Sequence, residues 1–236
     1  MVGVVELREG RGRRPAAVRW DLLGLPCLRA EIPFRPGLGE GRLGRRVDRG
    51  SRLLAKAGVR RVVTAADFPC WDRLERSGLR PVEAAGFCQA LALPLTLAAL
   101  ERQGVSPARA SVVLSGPSVS RALLRAAEEL CPRVRRLSVD VPGEGEKLAD
   151  WLWREFGAAM VSPDAGRRAD VALRFGPGGE PGHTTFELYG PRPGLAGFRI
   201  VPPAGLEKRG LDTLAVLSLL WEEGRLDLRK IIISST

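Results

Sequence analysis

Apolar residues fall along the chain in short runs of two different spacings, and the alternation of those spacings predicts the order of elements. Residues 2–7, 17–23 and, more briefly, 27–34 read as β segments separated by a Gly-Arg-rich turn at 10–14, which predicts a β-rich start in the form of a meander or hairpin. Pro36-Gly37-Leu38-Gly39 then punctuates the chain. Val47, Leu54 and Ala57 beyond it predict a helix that stops at Gly58. A short buried strand over 59–64, a short helix over 67–76 and a longer one over 82–102, bent at Pro94 and ending before Gly104, follow.

The second part of the chain repeats one theme. An apolar strand at 111–115 leads to a helix over 119–130, with Val119, Leu123, Ala127 and Leu130 on one side, and then to a strand at 134–141. The next helix carries the stripe Leu148, Trp151, Leu152 and Phe156 and is stopped by Gly157, with a further strand at 158–161. Strands at 171–175 and 185–189 flank the loop 176–183, which is mobile unless a ligand or neighbour orders it. An extended piece at 198–201, an apolar helix over 211–223 ended by Gly224 and a terminal strand at 230–234 complete the pattern. Such alternation predicts the α/β class: a mainly parallel sheet with flanking helices, preceded by a small β-rich N-terminal segment.

With 236 residues, 44% of them hydrophobic, the chain has enough apolar surface for one large or two modest cores. The expected division is a β-rich and α/β region over 1–104 and an α/β domain over 105–236, which would also be compatible with one continuous domain. The longest apolar stretch, 84–100, is short for a membrane crossing and contains Gln89 and Pro94, so it reads as a buried helix. Charges begin at Glu6 and recur from Arg8, unlike a signal peptide, so a cytoplasmic protein without a membrane partner is expected.

Charge and reactive side chains narrow the chemistry. The formal net charge of +10 comes from 33 arginines and only four lysines, spread along most of the chain. The densest run, 8–14, has only Trp20 as an aromatic neighbour, whereas a single-strand nucleic-acid platform needs interleaved aromatics; nucleic acid therefore ranks below small molecules as a partner. Cys27, Cys70, Cys88 and Cys131 form no C-x-x-C pair and read as four reduced thiols, with no metal site. His183 is the sole histidine, so a His-rich metal centre is excluded and any Ser-His or Cys-His catalytic pair would need it.

The segment Val112-Val113-Leu114-Ser115-Gly116-Pro117-Ser118-Val119-Ser120-Arg121 runs from strand through a tight turn into a helix. In that setting a glycine lets the backbone approach a phosphate, and amides at the helix start favour an anion. Gly116 supplies the glycine, and Asp140 stands at the end of the following strand, where a carboxylate accepts a hydrogen bond from a ribose hydroxyl.

In this order of strand, turn, helix, strand and acidic residue, the chain from about residue 105 onward resembles the Rossmann-type dinucleotide-binding superfamily. Of the family's G-x-G-x-x-G motif only Gly116 is present; Ser118 and Arg121 occupy the other two glycine positions. The resemblance implies a Rossmann-like sheet that binds a nucleotide or phosphorylated small molecule, NAD or NADP among them, at Gly116, Ser118, Arg121 and Asp140. There Ser118 would cap the helix and offer its hydroxyl to a phosphate, while Arg121 adds positive charge. The same residues also read as an ordinary strand-to-helix turn with Ser118 as its cap, and Asp140 as a solvated strand end.

Weaker candidates remain. Asp67 and the 176–183 loop with His183 would share one cleft with Gly116 if their preceding strands are all parallel. Glu144, Glu146, Asp150 and Glu155, mixed with Lys147 and Arg154, read as a solvated helix face, and Trp151 and Trp153 as packing residues. Three functions follow: a nucleotide or phosphorylated-ligand binder with no assigned reaction, a non-enzymatic interaction or regulatory protein on a ligand-free scaffold of the same kind, and a basic nucleic-acid binder.

Overall fold

Val4, Val5, Ala30 and Ile32 are all buried at alternating or adjacent positions of the opening segments, and the strands that carry them make the middle of a first sheet. The computed structural model describes every residue except 11, 13, 158–167, 203–205, 207–209 and 236. The chain forms two compact units, one of Met1–Val82 with Pro202–Glu223 and one of Glu83–Val201 with Gly224–Thr236.

In the first unit β1 (Val2–Glu9), β2 (Ala16–Leu22) and β3 (Leu25–Phe34) open the chain. β2 and β3 form a hairpin through Leu23 and Gly24, both at positive φ, as a two-residue turn between twisted strands requires. β3 then inserts between β2 and β1 and pairs with β1 in parallel, from Val2↔Cys27 to Glu9↔Phe34. Of the expected meander or hairpin, a hairpin is present, made by β2 and β3. The mostly exposed side chains of β2 suit an edge position, whereas β1 and β3 bury theirs.

α1 (Glu40–Lys56) lays Leu43, Val47 and Leu54 against this sheet, where they join Ile32, Val62, Phe68 and Leu74 in one cluster. Each fully buried leucine there contributes about 1.5–3 kcal/mol by leaving water. β4 (Arg61–Val63), α2 (Trp71–Arg76) and β5 (Arg80–Pro81) follow, and β4 and β5 extend the parallel side of the sheet to give the order β2-β3-β1-β4-β5.

The second unit begins with α3 (Ala85–Ala90) and α4 (Ala92–Gln103). The expected single helix bent at Pro94 is two helices broken at Leu91. A proline ring clashes with the carbonyl four residues before it and leaves that carbonyl without a donor. Ending α3 at Ala90 and restarting places Pro94 in the first turn of α4, where its missing N–H is not needed.

β6 (Ser111–Ser115), α5 (Arg121–Leu130), β7 (Arg136–Asp140), α6 (Gly145–Phe156), β8 (Val171–Arg174) and β9 (Thr184–Glu187) come next. Their four strands make a sheet in the order β7-β6-β8-β9, parallel at every pairing. α4 packs against β8 and α5, and α6 against β7 and α5. The expected α/β fold with parallel sheets and flanking helices is therefore present. The expected strand at 158–161 lies outside the described residues. Trp151, expected to pack inward, is 39% exposed and meets Phe156 edge to face at 6.1 Å, because Leu148 and Leu152 occupy the inner side of α6.

β10 (Phe198–Ile200) and β11 (Ile233–Ser235) pair antiparallel in the second unit. Between them α7 (Thr213–Glu222) returns to the first unit, capped by the Asp212 carboxylate on the amides of Leu214 and Ala215. The Asp212 amide donates to the Thr64 carbonyl, and Glu222 pairs in bidentate fashion with Arg61 at 2.7 and 3.0 Å. Among the described residues no helix is long and apolar enough to cross a membrane.

Candidate functional site

Strand order in the second sheet reverses at β6: the chain passes to β7 on one side and then to β8 and β9 on the other. In open parallel sheets this reversal leaves a crevice outside the carboxyl ends of the two strands that flank it, here β6 and β8. The turn after Leu114 emerges there, at the edge that the sequence predicted.

The four predicted site residues have different positions at this edge. Gly116 is buried, and its amide donates to the Asp140 carbonyl at 3.3 Å, which extends the β6–β7 pairing by one residue rather than facing outward. Ser118 is exposed and does not cap the helix; its carbonyl accepts the Ser120 amide at 3.0 Å. The cap is Ser120, whose hydroxyl accepts the Leu123 amide at 3.1 Å, three residues on, where an N-cap oxygen reaches. Arg121 is the exposed first residue of α5, and Asp140 is the half-buried last residue of β7.

Charged side chains that the sequence did not assign to this edge, Glu144, Arg174 and Glu187, complete it. The Val119 amide donates to Glu144 Oε2 at 2.6 Å, so the turn already holds an anionic oxygen, supplied by the residue that precedes α6. Glu144 had read as part of a solvated helix face. Among the described residues the amides of Ser118, Arg121 and Ala122 have no acceptor, so the start of α5 offers further donors beside the occupied one.

Register assembles the rest. Ser115 lies opposite Asp140 on β7 and opposite Arg174 on β8, and Arg174 lies opposite Glu187 on β9. Neighbours in register on parallel strands project to the same face, so Asp140, Ser115, Arg174 and Glu187 form one polar row across the sheet end. Ser115 is 1% exposed, and both its hydroxyl and the Arg174 Nε are buried with no hydrogen-bond partner; the only other such side-chain atom among the described residues is Arg29 Nε in the first unit. A second Arg174 nitrogen donates to the Gly179 carbonyl at 2.7 Å.

The glycine-rich loop after β8 lies directly on this row. A β-carbon on Gly179 would stand 2.3 Å from Ser115 Oγ and 3.5 Å from Asp140 Oδ2, and one on Gly176 would stand 2.4 Å from the Pro117 ring. Only glycine allows that approach. Gly179 also sits at φ +81°, a region that other residues reach at a cost.

His183 does not join the site. It immediately precedes β9, at the amino-terminal edge of the same parallel sheet, because the loop crosses from the carboxyl end of β8 to the amino end of β9. Asp67 belongs to the first unit and follows β4 of a different sheet. Of the 176–183 loop expected beside Gly116, both Gly176 and Gly179 do lie at the carboxyl edge, and His183 does not. Among the described residues no group of three or more His, Cys, Asp or Glu side chains gathers in an arrangement that could hold a metal ion, and Cys27, Cys70, Cys88 and Cys131 are free thiols.

No protein-family model and no curated protein matches the chain. Among solved structures it is similar to L-tryptophan dehydrogenase from Nostoc punctiforme, at 16% identity and a TM-score of 0.29, over 73% of this chain and 55% of that one. The chain thus spans little more than half the length of that enzyme.

Proposed function

We propose that this chain is a Rossmann-like protein that binds a nucleotide or another phosphorylated small molecule at the carboxyl edge of its second sheet. The observation that carries the reading is the adjacent pair of buried donors without acceptors, the Ser115 hydroxyl and the Arg174 Nε–H. A buried donor left without a partner costs about 1–3 kcal/mol, and an anionic oxygen accepting from both would remove that cost. The occupied Val119 amide supports the same chemistry at the neighbouring turn. In this reading Arg121 adds charge near the phosphate, Ser118 and Gly116 shape the turn around it, and Asp140 accepts from a ribose hydroxyl as in NAD or NADP sites. No reaction is assigned to the site, and the Gly176–Gly182 loop must move aside for a ligand to reach Ser115.

The covering of Ser115 by Gly179 favours a second reading, an interaction or regulatory protein whose scaffold of this kind is closed by its own loop. Calorimetric titration with NAD, NADP, ATP and S-adenosylmethionine separates the two. Binding of one of them at or below millimolar concentration, weakened in Ser115→Ala and in Arg174→Gln, is expected. Absence of heat with all four would favour the closed scaffold instead.

A further inference from the structure

The opposite, amino-terminal edge of the second sheet carries a cavity of about 620 Å3 that the nucleotide reading leaves unused, within the size range of small-molecule sites, about 300–1,000 Å3. It is lined at the starts of the strands by Ser111, Arg136, Asp170 and His183, and from the flanking turns by Arg109, Arg135 and Arg168.

Four arginines therefore line one opening. Among the described residues, the side chains of Arg109, Arg135, Arg136 and Arg168 make no hydrogen bond and no ion pair, whereas arginines such as Arg61, Arg73 and Arg125 elsewhere in the chain are paired with carboxylates. Asp170, the one carboxylate in the lining among the described residues, is engaged through Oδ2, which accepts from the Ser111 amide at 2.7 Å and from the Ser111 hydroxyl at 2.8 Å. That pairing ties the start of β8 to the start of β6.

We propose that this pocket is a binding site for a small polyanion, a molecule with two or more phosphate or carboxylate groups. Like charges gathered around a concavity repel one another until a counter-charge enters, and the planar guanidinium fork matches both phosphate and carboxylate oxygens in bidentate fashion. The occupant is small rather than a nucleic-acid strand. Among the described residues no aromatic side chain lines the opening, so bases would have nothing to stack on, and a concave pocket suits a compact ligand better than an extended backbone. His183, with a ring N–H to donate, lies at the same mouth.

Titration calorimetry tests the site with pyrophosphate and with citrate as probes, on the full chain and on Arg136→Gln, Arg168→Gln and Ser115→Ala. Both arginines lie outside the buried core, and circular dichroism verifies that the variants fold. At least one probe is expected to bind, with each arginine variant weakening it by about fivefold or more, as loss of a charge-assisted contact does, and Ser115→Ala leaving it within about twofold. Preference for pyrophosphate assigns phosphate chemistry, and preference for citrate assigns carboxylate chemistry. The proposal is overturned if neither probe binds, if binding ignores the arginine variants but is lost in Ser115→Ala, or if a single-stranded 12-nucleotide DNA displaces pyrophosphate and shows the same dependence on Arg136 and Arg168.

Discussion

Gly179 is folded so closely over Ser115 that a β-carbon on it would stand 2.3 Å from the serine hydroxyl oxygen. Gly179→Ala meets both this contact and the strain of φ +81°. The variant is expected to lose about 1–3 kcal/mol of stability in urea unfolding. Gly179→Ala combined with Ser115→Gly removes the contact but not the strain, and recovers part of the loss. Equal stability of the single variant and the parent would show that the loop does not rest on Ser115.

Ser120, two residues beyond the serine that the sequence singled out, holds the start of α5. Ser120→Ala is expected to cost about 1 kcal/mol, the usual cost of a lost N-cap, and Ser118→Ala less than about 0.5 kcal/mol. Denaturation curves of the two variants check the order, and a larger loss at Ser118 would contradict the cap assignment.

Removing the carboxylate from the turn opens its amide to other anions. Glu144→Ala leaves the Val119 N–H to solvent. Sulfate or phosphate in the buffer is then expected to raise the melting temperature of the variant more than that of the parent protein, because the freed amide gains an anion only in the variant. Identical increments in both proteins would mean that the turn has no affinity for anions of its own.

Alkaline pH reads the buried thiols. Burial pushes the Cys131 thiol above its ordinary value, and burial together with the nearby Asp21 carboxylate does the same to Cys27. The folded chain then retains thiol protons that the unfolded chain releases once pH passes the ordinary thiol range of about 8.5–9. Stability contributed by these groups is complete below that range and is lost as pH rises toward the folded values. Unfolding free energies measured between pH 8 and pH 11 should fall less steeply in Cys27→Ala and Cys131→Ala than in the parent, and parallel slopes would count against it.

Elements whose signals are local were legible in the sequence. β6 has the expected bounds because Val112, Val113 and Leu114 form an apolar run closed by the turn, and Gly157 ends α6 at positive φ as a C-terminal glycine does. The polar row was not legible, since Ser115, Arg174 and Glu187 meet only through strand register across distant parts of the chain. His183 was placed at the wrong edge for a related reason: the spacing between two strands does not tell on which end of the second one the connecting loop arrives. The Pro94 bend failed because the clash of a proline acts on the preceding turn, and the chain yields at Leu91 instead.

Gly182 lies against the backbone of β8, where a β-carbon would stand 2.6 Å from the Ala172 nitrogen and 2.9 Å from the Val171 carbonyl carbon. A shift of β9 by one residue would bring Pro181 or His183 into that gap, and neither fits. The same shift would turn Phe186, wholly buried, toward water and bring exposed Glu187 inward. This one glycine therefore works as a pawl on the outermost strand of the sheet, a position where slippage and alternative pairing would otherwise be easiest.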